Sequence, residues 1–362
     1  MVRHEQIRFK MLRYGVEYGE IFADDAPNMR MSSSGEIKRS LQGTFLPYAL
    51  DVRGREMEIN WLVDEIKPYL VLDGVEYPLG VFMPATISPK KEKGKTTLSV
   101  EAYDQCWRVR DYKVESRVAF DQGAKYIGCI ESLLAACGIA VISAVDTDST
   151  LATARDDWET GTSYLSIVNE LLKEINYKDL WFDENGTAIL EPASIPTARN
   201  IKHRFTDQKP DPRNEKEIGM INVHPVMTKT TDIYQKPNVI ICICSSPDRT
   251  SALRATAENM NPESPLSIQR RGRRIVQVVK VNNIPDQNAL DAYAERLLME
   301  SMVTGEELSF QTPLQPGFGV DDVCAVKYED LSGVCVEREW SMELRPGGTM
   351  SHRVERVVVN IG

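Results

Sequence analysis

An α+β chain rich in β-structure is what this sequence predicts, with β regions at both ends and a duplicated α/β segment between them. Three observations carry the prediction. Residues 4–104 break into short alternating or apolar runs divided by Gly, Pro, Asn and Asp. One unit is then written twice, 38 residues apart, with Gly123 on Gly161, Tyr126 on Tyr164, Ile127 on Leu165, Ile130 on Val168 and Leu133-Leu134 on Leu171-Leu172. The remainder returns to short strands, interrupted by one strongly patterned helix.

The first region holds HEQIRFKMLRY, EIKRSLQGTFLPY, REMEINWLVD, KPYLVLDGVEYPLGVFMPATIS and KTTLSVEAYD. LVLDGVEYPLG reads as a hairpin turning at Asp73-Gly74, and Lys93-Gly94 is a second turn signal. Many short strands at regular spacing predict a barrel or sandwich over residues 1–104. In each repeat the matched apolar positions fall at i, i+3, i+4 and i+7, so each copy is one amphipathic helix opening just after a glycine. Two copies make an α/β layer over 105–198, because stacked arrays need three or more. Asn185-Gly186 turns the strand after the second helix back into TAILEPA.

The third region, 199–362, opens with a polar passage, QKPDPRNEKEIGM, read as a linker or long loop. NVIICICS and RRIVQVVKV read as strands, and 245–270 as a loop between them. A helix spans 286–303, capped by Asp286, with Leu290, Tyr293, Ala294, Leu297 and Leu298 as its apolar stripe. EELSFQTPL, DDVCAVKYED, GVCVEREWSMELRPGG and MSHRVERVVVNI complete the β-structure, with Gly347-Gly348 as the last turn.

At 362 residues the chain exceeds one core and divides into two to four domains. Its 42% apolar and 27% charged residues are those of a soluble globular protein. No apolar run approaches a membrane span, and MVRHEQIRFK lacks the apolar core of a signal peptide. Seven scattered cysteines among apolar neighbours read as reduced, buried thiols. A net charge of −10 argues against a broad nucleic-acid-binding face.

Four constellations invite chemistry. Cys242 and Cys244 share one face of a strand and point toward a metal, but zinc needs two further ligands, and no second Cys or His pair stands at ligand spacing. Ile240, Ile241 and Ile243 favour a buried strand. His4, His203, His224 and His352 lie far apart and form no metal motif. Arg270-Arg271-Gly272-Arg273-Arg274 reads as a solvated loop, with contact to a partner subunit or a DNA backbone as the alternatives. Asp156-Asp157-Trp158-Glu159 places carboxylates beside an aromatic, as glycoside cleavage requires, yet acids before a helix start also complement its dipole. The Gly-rich nucleotide loops and the Gly-x-Ser-x-Gly elbow do not occur. The sequence therefore assigns no catalytic, cofactor-binding or metal-ligating residue.

The order of regions resembles the tail-hub (baseplate-hub) family of tailed bacteriophages and related contractile phage-tail-like particles. The residues that carry the resemblance are the duplicated Gly-x-x-Tyr helix unit followed by LWFDENGTAILEP, then AERLLMESMVTGEELSFQTPLQPGFGVDDVCAVKYE and the closing LRPGGTMSHRVERV. Where the family has Gly-Asp before a Val strand start, this chain reads Asp321-Asp322-Val323. The resemblance implies two small β-barrels of the tail-tube type, at 1–104 and 199–362, the helix being an insertion in the second. Three chains then form a pseudo-sixfold ring between a hexameric tail tube and a trimeric spike or fibre, with the duplicated segment on the distal or peripheral side. The implied partners are two further copies, the tail-tube or distal tail protein, the central spike or tail-fibre protein and, as a further candidate, the tape-measure protein. DNA is passing cargo, no membrane is entered, and the place is a virion tail or phage-like particle assembled in a bacterial cytoplasm. The expectation is a structural protein without enzymatic activity or cofactor. A cell-wall hydrolase using Asp157 or Glu159 and a host-surface glycan-binding module are the competing readings.

Overall fold

The computed structural model describes residues 4–193, 196–208, 219–231, 236–245, 252–281, 284, 286–329 and 331–357. The first nine strands are β1 (Glu5–Arg13), β2 (Val16–Ala23), β3 (Asn28–Ser32), β4 (Arg39–Leu50), β5 (Glu56–Met57), β6 (Asp64–Leu72), β7 (Val75–Pro78), β8 (Met83–Glu92) and β9 (Lys95–Tyr103). The layer that follows holds α1 (Cys106–Asp111), α2 (Tyr126–Ala136), β10 (Ile142–Ala144), α3 (Tyr164–Glu174), β11 (Trp181–Phe182) and β12 (Ala188–Leu190). Then come β13 (His203–Thr206), β14 (Met220–Asn222), β15 (Met227–Thr231), β16 (Val239–Cys244), β17 (Leu253–Glu258), α4 (Ile268–Arg271) and β18 (Val276–Val281). The chain closes through α5 (Gln287–Met302), β19 (Val303–Pro313), β20 (Val323–Tyr328), β21 (Leu331–Glu343) and β22 (Thr349–Val357).

The two terminal β regions do not stand apart. They unite in one 16-stranded sheet, because β3 pairs antiparallel with the end of β21, Met31 opposite Trp340 and Met29 opposite Met342. Within the N-terminal strands, pairing runs β6–β1–β2–β4–β9–β8. A mutual bridge between Ile66 and Phe82 then brings β6 back beside the start of β8. Within the C-terminal strands, pairing runs β13–β20–β21–β22–β19–β15, and the chain from β14 on β13 to β15 on β19 links the two ends. Asp73-Gly74 turns β6 into β7 with φ of 48° and 87°, as a two-residue hairpin loop requires. The strands Val16–Ala23 and Asn28–Ser32 were not marked by the sequence patterns. β3 is only five residues long, with Met29 and Met31 as its buried side chains, β2 mixes its apolar residues with Glu17, Gly19 and Glu20, and the place of both comes from pairing with β1, β4 and β21.

The duplicated unit forms α2 and α3, eleven residues each. Their apolar stripes, Ile127, Ile130, Leu133 and Leu134 against Leu165, Val168, Leu171 and Leu172, are buried in one common core. Each fully buried Leu or Ile contributes about 1.5–3 kcal/mol. The two units also exchange the segments ahead of their helices. Gly161 N–H donates to Val114 O at 2.8 Å and Tyr164 N–H to Tyr112 O at 2.9 Å, while Gly123 N–H donates to Leu151 O at 2.9 Å and Tyr126 N–H to Ser149 O at 3.3 Å. Both glycines have φ near +90°, at 83° and 92°, which explains their place at the head of each copy. Phe120 and Trp158, also 38 residues apart, meet edge-to-face at 5.9 Å where the halves cross. The hairpin at Asn185-Gly186 forms as expected between β11 and β12.

NVIICICS and RRIVQVVKV do not join the large sheet. They become β16 and β18 of a separate three-stranded sheet, ordered β17–β16–β18, with α5 across one face. The stretch 245–270, expected as a loop, contains β17 and α4. Its strand is masked in the sequence by charged residues on its solvent face, Arg254 and Glu258, which alternate with buried Ala255 and Ala257. Asp286 caps α5 through its side chain on Ala289 N–H at 2.8 Å. The stretch 199–229, expected as a linker or long loop, instead supplies β13, β14 and the start of β15 through pairing with β20 and β19, and its residues 209–218 lie outside the described residues.

Candidate assembly surfaces

The residues singled out from sequence separate on the fold. Cys242 and Cys244 face α5 from β16, fully buried among Leu290, Tyr293 and Leu298, and burial pushes the Cys242 thiol up to about 11. Among the described residues no group of three or more His, Cys, Asp or Glu is placed to hold a metal. His4 is exposed at the start of β1, and His224 donates its N–H to Gln311 O.

The acids before α3 do not serve its N-terminus, which is capped by Ser163 accepting from Ser166 N–H at 3.1 Å. Asp156 pairs with Arg117, and Asp157 with Arg155 at 2.8 Å. Arg155 is itself buried, reaches Glu174 at 2.6 Å and Glu170 at 2.7 Å, and lies 4.6 Å from the centre of the Trp158 ring. Trp158 Nε1 donates to Glu170 at 3.0 Å, and Tyr126 Oη to Glu174 at 2.8 Å. Burial pushes Glu174 up to about 7, against the pull of Arg155 and Tyr126. The sequence's carboxylate–aromatic cluster is thus the clamp that joins the two repeats, built on an arginine that no motif marked.

Two further polar clusters lie inside the C-terminal strands. Asp322 accepts from Gly319 N–H at 2.8 Å, Lys202 Nζ at 2.6 Å and His203 Nε2 at 3.2 Å. Burial alone raises a carboxyl, but these donors hold Asp322 down at about 2. The departure at Asp321-Asp322 therefore retains one carboxylate as the tie between β13 and the start of β20. The second cluster joins Thr312 on β19, His352 on β22 and Glu337 on β21, three neighbouring strands. His352 Nε2 is 2.9 Å from Thr312 Oγ1, and its Nδ1 is 3.1 Å from Glu337 Oε2. This order of hydroxyl, imidazole and carboxylate is that of a nucleophilic relay. Here all three are buried, and Phe205, Phe310 and Phe318 pack around the imidazole. The protons can be placed. Thr312 donates to Pro313 O at 2.9 Å, a group that only accepts, so it takes its second bond from His352 Nε2–H. One proton must then lie between Nδ1 and Glu337, leaving the pair without net charge. The relay fastens three strands, and its three side chains are closed off from solvent.

Surfaces remain as the places where this fold can act. At one end of the N-terminal strands the turns expose large apolar side chains. Arg13 is opposite both Val16 and Asp64, and Leu50 is opposite Glu20, so Tyr14, Val16, Val52 and Leu62 gather at that end. Val52 is 100% and Leu62 94% exposed. Beside the seam where β3 meets β21, a cavity of 910 Å³ is lined by Arg30, Glu339, Ser341, Ser351, Gln311 and Thr228. Beneath the seam, Arg39 is fully buried and donates to Leu79 O at 3.1 Å and Phe318 O at 2.9 Å, joining the two halves. Edge strands β7 and β14 end the pairing order on opposite sides.

No family model matches the sequence, and no curated protein matches it either. Solved structures do match. The tail protein from Neisseria meningitidis MC58 superposes with a TM-score of 0.65 at 12% identity, over 97% of this chain and 96% of that one. The 43 kDa tail protein of prophage MuSo2 from Shewanella oneidensis gives 0.65 at 11% identity, over 98% of both chains. Prophage tail protein gp18 from Listeria monocytogenes EGD-e gives 0.54 at 11% identity, over 96% and 94%. At such low identity it is the fold that is shared, and it is shared along nearly the whole chain: this protein has the fold of prophage tail proteins.

Proposed function

We propose that the chain is a structural tail hub, forming a trimeric, pseudo-sixfold ring that joins a hexameric tail tube to a trimeric spike or fibre. The observation that carries this reading is the end-to-end likeness to prophage tail proteins. Its regions 1–104 and 199–362 act as the two tube-type barrels of each subunit, and 105–198 as the layer between them. The Ile66–Phe82 bridge and the β14–β15 link support the barrel reading, since each returns its strand set to its own beginning. Among the described residues β7 and β14 each pair with one strand, which supports a head-to-tail ring in which a neighbour's strand completes each edge. The apolar turns at Tyr14, Val16, Val52 and Leu62 fit a stacking face toward the tube or distal tail protein, and the opposite end receives the spike or fibre. Its place is the tail of a virion or phage-like particle, and its action is symmetry matching, without chemistry. Light scattering on a sizing column tests this: a species of three times the 40.8 kDa chain, alone or on adding a tube or spike partner, is expected. A chain that stays monomeric with both partners present rejects the ring.

A further inference from the structure

The inserted sheet carries one edge that the rest of the molecule does not use. Among the described residues β18 pairs only with β16, in parallel, and is the outer strand of its sheet. The direction of its free groups follows from one residue. Ile275 donates to Asn238 Oδ1 at 2.7 Å and its carbonyl accepts from Asn238 and Val239 N–H, so both its backbone groups face β16. Successive residues of a strand alternate, and the backbone groups of Val276, Val278 and Lys280 therefore face outward.

The side chains along this edge are those of an interface. Val276 is 48% and Val278 53% exposed, in a row with half-buried Ile241 across the same face. Proline and bulges, which usually blunt an edge, do not occur in β18, and Lys280 is its one charge. At the start of β18 stand the exposed Arg270, Arg273 and Arg274. Their polar contacts are local: Arg270 Nε to Pro262 O at 2.9 Å and Arg274 to Glu258 at 2.6 Å. At the other end the strand opens on a 330 Å³ cavity, walled by Val279, Lys280, Val281, Ile284 and Tyr293 on one side and by Glu170, Lys173 and Glu174 of α3 on the other, so that its apolar wall lies on the side of the inserted sheet.

We propose that β18 is an acceptor edge for an extended segment of a partner protein. The segment is acidic where it meets the arginines and apolar where its alternate side chains enter the cavity beside α3. The charge complementarity selects the acidic end, and the unpaired ladder selects polypeptide, since only another backbone can bond to it in register. A nucleic acid would meet the arginines alone.

The test is fluorescence anisotropy with a labelled synthetic peptide, Glu-Glu-Val-Thr-Val-Thr-Val, on the full chain. Saturable binding is expected, weakened at least tenfold by Val278→Pro, which removes one outward N–H and leaves the β16 ladder whole. The same loss is expected for the peptide with Lys-Lys in place of Glu-Glu. Circular dichroism of the variant confirms that it folds, and Val278→Thr, which keeps the N–H, is expected to bind as the parent does. Absence of saturable binding, or equal binding by Val278→Pro, overturns the proposal. So does self-association of the peptide-free chain that Val278→Pro abolishes, which would make a second copy the occupant. None of these outcomes depends on whether the chain forms a trimeric ring.

Discussion

Among the described residues, the buried apolar side chains of the duplicated layer's core all lie within Cys106–Leu190, with half-buried Ile37 packed against them, whereas the core of the large sheet draws on residues from Phe9 to Val354. Trp181 and Phe182 mark the border, the first packing into the sheet and the second into the layer. The two regions also handle buried polar groups differently. The layer holds one guanidinium against three carboxylates, two of which, Asp157 and Glu170, remain 56% and 41% exposed. The sheet encloses Glu337, His352 and Thr312 completely, and there the group is neutral. The clamp is open on one side, where water shares its excess charge, while this sealed triad is neutral, since uncompensated burial of an ion costs several kcal/mol.

Breaking the layer's clamp gives the largest expected effect. Arg155→Met removes the cation that, among the described residues, pairs with Glu174, and leaves that carboxylate buried. A loss of about 3–5 kcal/mol is expected in urea unfolding at pH 8, where Glu174 is ionised in the parent. A loss below about 1 kcal/mol would mean that the carboxylates simply take up protons and that the clamp is dispensable.

The second prediction uses pH. The folded Glu174 carboxyl lies near 7, above the ordinary value near 4.3. Between those values the native state holds the proton and the unfolded state does not. Stability therefore falls as pH rises from about 4.5 to about 7, by at most ~3 kcal/mol. Glu174→Gln removes this slope and retains acceptance from Tyr126. Parallel stability curves for parent and variant across that window would show that Arg155 holds Glu174 ionised throughout.

In the sheet the comparable change is smaller. Thr312→Val keeps the shape but leaves His352 Nε2–H without an acceptor in a sealed site, a loss of about 1–3 kcal/mol. If the variant matches the parent in urea, the hydroxyl is not the acceptor, and the proton assignment fails with it.

The same contrast in sequence range explains what was legible. The repeat, its helices, the Asp286 cap and the turns at Asp73-Gly74 and Asn185-Gly186 depend on residues a few positions apart, and the sequence displays them. The pairing of β3 with β21 joins positions about 310 apart, and no local pattern encodes it. Arg155 was hidden because an arginine before an acidic run reads as surface charge, although the fold turns it inward beneath Trp158. The histidines read as unrelated because His203 and His352 come together across packed strands, through Phe318, which is stacked 3.8 Å from His203 and tilted 5.3 Å from His352.

The smallest effect on stability belongs to the surface and bears most directly on the proposed function. Val52 and Leu62 make little contact with their own chain, so Val52→Glu with Leu62→Glu should move unfolding by no more than about 0.5 kcal/mol. The same pair projects from the end of the sheet that would stack on the tube. On the proposed function, co-sedimentation with the tail-tube or distal tail protein is expected to be lost in the double variant while the native mass of the chain alone is unchanged. Retained co-sedimentation would move the stacking face elsewhere, with the polar cavity over the β3–β21 seam the next surface to alter through Arg30 and Glu339. Loss of ring formation together with tube binding would place these turns between subunits. Either way, stability and assembly separate at this surface, because exposed apolar side chains that contribute nothing to the monomer gain their free energy only when a partner covers them.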